Sequence, residues 1–307
     1  MPSGVMQFSD YQEFLALGLT DAFTDGLKLQ PIMFDEWLKS ETVKRWLDTD
    51  IIYSGVGQMP QKGIGSNIQT DTILKGTSKQ YSLVPYALGV VLEYEVMRWE
   101  QYGIFEDLGP ELARAATERY NVVAYSLLNN AFSAPNATYQ TYQSEDLIDV
   151  AHTRMDGGTW SNRQSGNPGL SHQALQQTRI DLNRSVNERG KYGMLTPTLL
   201  IVPPELGPLA EEILNSTGRS DVANPAVYNT EKGKLRVHES PFLTSATAWF
   251  IICDKNRVRV KMRYGDKATL SRDSDFRNKN MLMSTYCSFN VASYNSLGWY
   301  GSDGLNA

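Results

Sequence analysis

The sequence has little of what most protein chemistry needs. Of its 307 residues two are cysteine, Cys253 and Cys287, and three are histidine, at 152, 172 and 238. Two cysteines cannot build a disulfide framework, so a reducing compartment is the simpler reading. No His-x-x-x-His, Cys-x-x-Cys or calcium-loop spacing occurs, which removes the common metal sites. There is no Gly-x-Ser-x-Gly elbow and no GxxxxGKS or GxxxxGKT phosphate loop. Gly63-Ile64-Gly65-Ser66-Asn67-Ile68 supplies two glycines of a dinucleotide fingerprint but lacks the third, and no buried strand precedes it. Charged residues make up 21% of the chain and the net charge is −5, which excludes a protein that coats nucleic acid by charge alone. The most apolar run, Ala246 to Cys253, is far short of the ~20 residues of a membrane helix. Met1-Pro-Ser-Gly opens no secretory signal. The expectation is therefore no cofactor, no metal, no membrane and no catalytic residue.

What is abundant is uncharged. The chain carries 16 tyrosines and 24 glycines. Residues 54–85 hold Gly55, Gly57, Gly63, Gly65 and Gly76 among Gln, Ser, Thr and Asn, with sparse charge. Loops longer than ~12–15 residues are uncommon inside compact domains, so a long projecting hairpin is expected here. Leu88, Val90, Leu92, Tyr94 and Val96 then alternate with less apolar neighbours, which predicts a strand.

Helical periods stand on either side. Phe8 to Leu19 and Phe34, Trp37, Leu38, Val43, Trp46 and Leu47 predict short helical pieces of an arm that packs on something else. Leu112, Ala116, Tyr120, Val123, Leu127 and Ala131 predict a long helix over 110–132, with Pro110 at its first position. Ser171 is placed to cap a helix reaching about Val186. Thr198 to Val202 reads as a strand, stopped by Pro203-Pro204 and followed by a helix over 205–214. Met281 to Val291 has strand composition.

One electrostatic feature stands out. Lys255, Arg257, Arg259, Lys261 and Arg263 alternate with neutral residues. On a strand they would share one face at ~6.6 Å spacing. Such a row needs anions opposite it. Bound nucleic acid would supply them. So would an acidic strand, with Glu93 and Glu95 as candidates, or an acidic surface on another copy. The three histidines and two cysteines read as structural side chains.

The order of these elements resembles the major capsid protein of tailed bacteriophages, the Hong Kong 97 fold. The resemblance runs over nearly the whole chain. Residues 54–96 resemble its extended loop and return strand, and 106–132 its spine helix. Leu199-Leu200-Ile201-Val202-Pro203-Pro204-Glu205-Leu206 resembles the strand-to-helix step of its axial domain. Asn295 to Ser302 resembles its tryptophan-containing end. The resemblance implies an α+β fold divided into an arm (1–50), an extended loop (51–96), a peripheral domain with the spine helix (97–170), an inserted axial domain (171–250) and return strands (251–307).

It implies a shell protein of the virion, made in the host bacterial cytoplasm. Hexamers and pentamers of it would close an icosahedral head around double-stranded DNA held without sequence specificity. A portal, a separate scaffolding protein and a decoration protein are the further partners implied. The long charged scaffolding segment that opens some members is not seen after Met1. Candidate interface residues are Trp37 and Trp46 in the arm and Gln58, Met59, Lys62, Lys75 and Lys79 on the hairpin. No motif identifies a lysine that crosslinks. Three alternatives stay open: an encapsulin-like compartment of the same fold enclosing protein, a hydrolase with an unrecognised site, and a structural component of a tail or baseplate.

Overall fold

The computed structural model describes residues 20–29, 31–99, 104–219, 221, 227–256, 258–275 and 277–305. The helical piece expected between Phe8 and Leu19 and the side chain of Arg257 lie outside these residues. Helical backbone over 20–29 (α1) is followed by a 3-10 turn, Met33–Glu36, and by strands β1 (Lys39–Thr42) and β2 (Leu47–Tyr53). The second helical piece expected in the arm is thus a single turn followed by strand. Tertiary pairing decides it: β1 runs parallel to a later strand, in the register Lys39 to Lys261 through Thr42 to Tyr264.

The main sheet has four strands. β4 (Val84–Leu92), β10 (Val260–Ser274) and β11 (Met281–Ser293) join β1 in the order β1-β10-β11-β4. The strand expected through Val96 ends at Leu92, and Tyr94–Trp99 is helix α2. Across the sheet lies α3, Ile104–Asn129. Its buried residues Leu112, Ala113, Ala116, Tyr120, Ala124, Leu127 and Leu128 recur at steps of three and four, as a helix with one buried face requires. The helix begins before Pro110, which therefore sits inside it and not at its first position.

A second sheet has the order β12-β9-β7-β8, from β7 (Pro197–Val202), β8 (Arg236–Glu239), β9 (Trp249–Cys253) and β12 (Trp299–Ser302). Both faces of this sheet are covered, which explains its continuous apolar runs. Leu199, Ile201, Phe250, Ile252 and Trp299 face the core shared with α3. Leu200, Val202, Trp249, Ile251 and Tyr300 face a second core. Helices α4 (His172–Arg184) and α5 (Gly207–Asn215) close that second core with Leu175, Leu182, Ile213 and Leu214. Ser171 caps α4 as expected, its Oγ accepting from the Ala174 N–H at 3.2 Å.

Two small units complete the fold. β5 (His152–Thr153) and β6 (Thr159–Trp160) form a short hairpin. β2 pairs antiparallel with β3 (Lys75–Ser82) in a two-stranded ribbon, and residues 54–74 connect them.

Candidate functional site

No cluster among the described residues could hold a metal ion, and no described helix is long and apolar enough to cross a membrane. The three histidines serve the fold. His152 is fully buried between Glu145 (3.2 Å) and Asn162 Oδ1 (2.8 Å). His172 Nε2 meets Asn229 Oδ1 at 2.7 Å. His238 lies 2.6 Å from the Tyr125 hydroxyl and 3.2 Å from Glu36, and burial pushes its imidazolium below the usual range. Cys253 and Cys287 are buried in β9 and β11. A hollow of about 420 Å³ is lined by Asp35, Glu36, Thr198, Arg236, Asp254 and Lys255. None of the three histidines lines it.

The basic row does not form one strand face. Lys255 sits in the turn after β9, Arg259 precedes β10, and only Lys261 and Arg263 lie on β10. The alternation that suggested a strand is interrupted by the turn between β9 and β10. Lys255 donates to the Asp35 carbonyl at 2.6 Å and Lys261 to Glu41 at 2.6 Å. The Lys261 ammonium holds the Glu41 carboxyl below its ordinary range. Arg263, 4% exposed, forks onto Asp48 and Asp50 of β2. The intrachain carboxylates are thus Glu41, Asp48 and Asp50. Glu93 follows β4 and Glu95 lies on α2.

The two arm tryptophans part company. Trp37 is 1% exposed, packs edge-on against Tyr125 (5.4 Å) and Trp299 (5.7 Å), and donates its Nε1–H to the Tyr125 hydroxyl. It is core, which corrects the expectation of an intersubunit anchor. Trp46 is 56% exposed.

The ribbon is two-faced. Its inner face binds the body through Asp48, Asp50, Ile52, Lys79 and Tyr81. Tyr81 donates to the Ser293 carbonyl at 2.5 Å. Lys79 donates to the same carbonyl at 2.8 Å and to that of Gln140, so its ammonium is held against the body. The outer face bares Leu47, Ile51 and Tyr53, with Trp46 beside them. Across from these stand Ser82, Ser78 and Lys75. The period of two fixes this split. The connection 54–74 bares Val56, Met59, Ile64, Ile68 and Ile73, with Gln58 and Lys62 exposed beside them. Local period places Leu47 at the end of a short helical piece and singles out neither Ile51 nor Tyr53; the alternation with Asp48, Asp50 and Ile52 was the available signal.

An exposed ribbon of apolar and uncharged residues stands on the body, and such a contiguous exposed apolar surface is of the kind that marks protein contact. Residues 76–300 match the model of a family described as phage capsid protein. The chain belongs to this family. The solved structures agree in fold. The mature capsid of bacteriophage PhiM1 is 11% identical, with a TM-score of 0.57 over 89% of this chain and 87% of that one. The capsid of bacteriophage JBD30 is 13% identical, with a TM-score of 0.57 over 72% and 94%. The virus-like particle from Pyrococcus furiosus is 8% identical, with a TM-score of 0.52 over 93% and 98%. No curated protein sequence matches the chain significantly. The capsid protein is thus an α+β chain of the Hong Kong 97 type, structural rather than catalytic, and its place is the virion shell.

Proposed function

We propose that this capsid protein forms hexamers and pentamers that close the icosahedral head of a tailed phage around double-stranded DNA. The observation that carries this is the ribbon and its connection. They bare Trp46, Leu47, Ile51, Tyr53, Met59, Ile64 and Ile68 and have too little core to need such residues for themselves. Burying apolar surface against a neighbouring copy is worth about 25 cal/mol per Å² before association costs are subtracted. In this reading residues 51–96 are the extended loop, 97–170 and 251–307 the peripheral domain, 171–250 the axial domain and 1–50 the arm. The loop lies on an adjacent subunit through Gln58, Met59 and Lys62, with Lys75 at its root. A portal and a separate scaffolding protein are the partners such a head requires. A related capsid, that of bacteriophage JBD30, is described as decorated with minor capsid protein trimers, and a decoration protein is proposed here by analogy.

Electron microscopy of the purified chain, alone and co-expressed with neighbouring genes, tests the proposal. Closed shells or five- and six-membered rings are expected; a stable monomer under both conditions would overturn it. The virus-like particle of the same fold supports a second reading, a compartment that encloses protein. Nuclease-protected DNA inside purified particles favours the phage head, and protein cargo without DNA favours the compartment.

A further inference from the structure

Residues 54–74 leave the ribbon and return to it through a neck held by polar contacts. The Ser54 N–H donates to the Leu74 carbonyl at 2.9 Å, and the Leu74 N–H to Ser54 Oγ at 3.0 Å. The Gly57 N–H donates to Asp71, whose carboxyl is held below its ordinary range first by that bond. A Cβ on Gly57 would lie 2.9 Å from the Asp71 carboxylate, so an alanine there would push that carboxylate aside.

A second segment grips this neck from outside. After α4 the chain makes a tight turn over 185–193, closed by Asn187 N–H to the Lys191 carbonyl at 2.7 Å and Gly193 N–H to the Ser185 carbonyl at 2.8 Å. Gly190 takes a left-handed φ of +70° at its tip. Glu188 fixes the turn to the body by accepting from the Met155 N–H (3.2 Å) and Asn295 Nδ2 (3.3 Å). The two cations of the turn then reach the neck. Arg189 Nε donates to Ser54 Oγ at 3.2 Å. Its terminal nitrogen lies 3.1 Å from both Asp71 oxygens and also meets the Thr72 carbonyl. Lys191 donates to the Gly57 carbonyl.

We propose that Arg189, with Lys191, is an intrachain latch that sets the direction in which the 54–74 loop leaves the body before any neighbour is met. Asp71 is the one carboxylate between residues 54 and 74, and Arg189 touches both sides of the neck through it and Ser54. A guanidinium can do this because its donors are fixed in one plane, whereas an ammonium is a single point. The consequence is pre-organisation. A loop already aimed does not lose its freedom on assembly, so contact with a neighbour is stronger for the same buried surface. Arg189 is a positioning residue for assembly and makes no contact with the neighbour itself. This rests on the loop being an intersubunit element, as proposed above.

The test compares wild type with Arg189→Gln, Arg189→Lys and Gly57→Ala. Amide hydrogen exchange is read on unassembled protein, and the threshold concentration for particle formation by light scattering. In Arg189→Gln the neck amides of Ser54, Gly57 and Leu74 should exchange about tenfold faster, while those of β7 and β9 stay as in wild type and report an intact fold. The assembly threshold should rise about tenfold. Gly57→Ala should reproduce both effects with Arg189 intact, and Arg189→Lys should fall between. Unchanged exchange of the Ser54, Gly57 and Leu74 amides in Arg189→Gln would overturn the latch. Faster exchange with an unchanged threshold would overturn the pre-organisation. A wild-type chain that forms no particle would overturn the assembly reading, and the exchange comparison would still decide the latch.

Discussion

Lys79 donates to two carbonyl oxygens, those of Gln140 and Ser293, with the Tyr81 ring 5.0 Å from its nitrogen. Burial pushes its ammonium down to about 7. Between that value and the ordinary lysine range the unfolded chain binds a proton that the folded chain does not. Stability therefore rises with pH across this window. Buried Tyr81, Tyr120 and Tyr264 act in the opposite sense above about pH 10, because burial raises them and only the unfolded chain ionises there. The usable window is thus about 7 to 9.5. Chemical denaturation should give wild type a gain of about 2 kcal/mol across it, after discounting for partial exposure. Lys79→Met should lose most of that slope. Arg263 gives a sharper effect. Arg263→Leu leaves Asp48 and Asp50 facing a side chain without donors, and a loss of about 2–4 kcal/mol is expected from denaturation midpoints. Arg263→Lys should recover only part of it, since one ammonium cannot fork onto two carboxylates. At this scale the sequence was legible in kind but not in partner. The cations at 261 and 263 called for anions, but those anions came from β1 and β2, some 220 positions away. Trp37 and Trp46 stand on either side of β1, and the tertiary packing buries the first and leaves the second 56% exposed.

Elements with a strong local period were legible as they stand. The step pattern of α3, the cap of α4 and the strand-turn-helix from β7 to α5 all arise from neighbours within a few turns of chain. β10 was not. It bends at a register shift between Tyr264 and Thr269, and it is held by β1 and β11, so no local period marks its run to Ser274. Pro110 misled for a related reason. Local preference puts proline at a helix start, yet α3 extends before it and α1 packs against it. A Cβ on Gly26 of α1 would come within 2.9 Å of Pro110 Cα and 3.0 Å of Ala113 Cβ. Gly26→Ala should therefore loosen α1, despite alanine's helix preference of about 1 kcal/mol over glycine. Limited proteolysis should cut within 20–29 faster in that variant, while cleavage elsewhere is unchanged.

For the whole molecule, the separation of inner and outer ribbon faces makes assembly separable from folding. Replacing Leu47, Ile51 and Tyr53 together by serine removes exposed apolar groups only. Their loss should leave the thermal midpoint within about 2–4 °C of wild type. Particle yield should fall at least tenfold by sedimentation. The order of elements was the legible feature at this scale, because it follows from local periods and turn residues along the chain. The exposed apolar surfaces were less legible. An exposed isoleucine and a buried one are the same letter, and only the pairing partner decides which way it points.

The contact between Trp37 and Trp299 joins the start of the described chain to its far side. β12, which carries Trp299, pairs with β9 through Trp299 to Ile252 and Ser302 to Trp249. A ribosome delivers residues in order, at about 5–20 per second, and a domain closes only when its parts are present. A nascent chain that has not reached residue 299 has the ribbon and α3 but lacks an edge of the second sheet and the indole that seals Trp37. Translation thus acts as a timer: the sticky ribbon emerges early, but the body that must carry it into a shell is completed late.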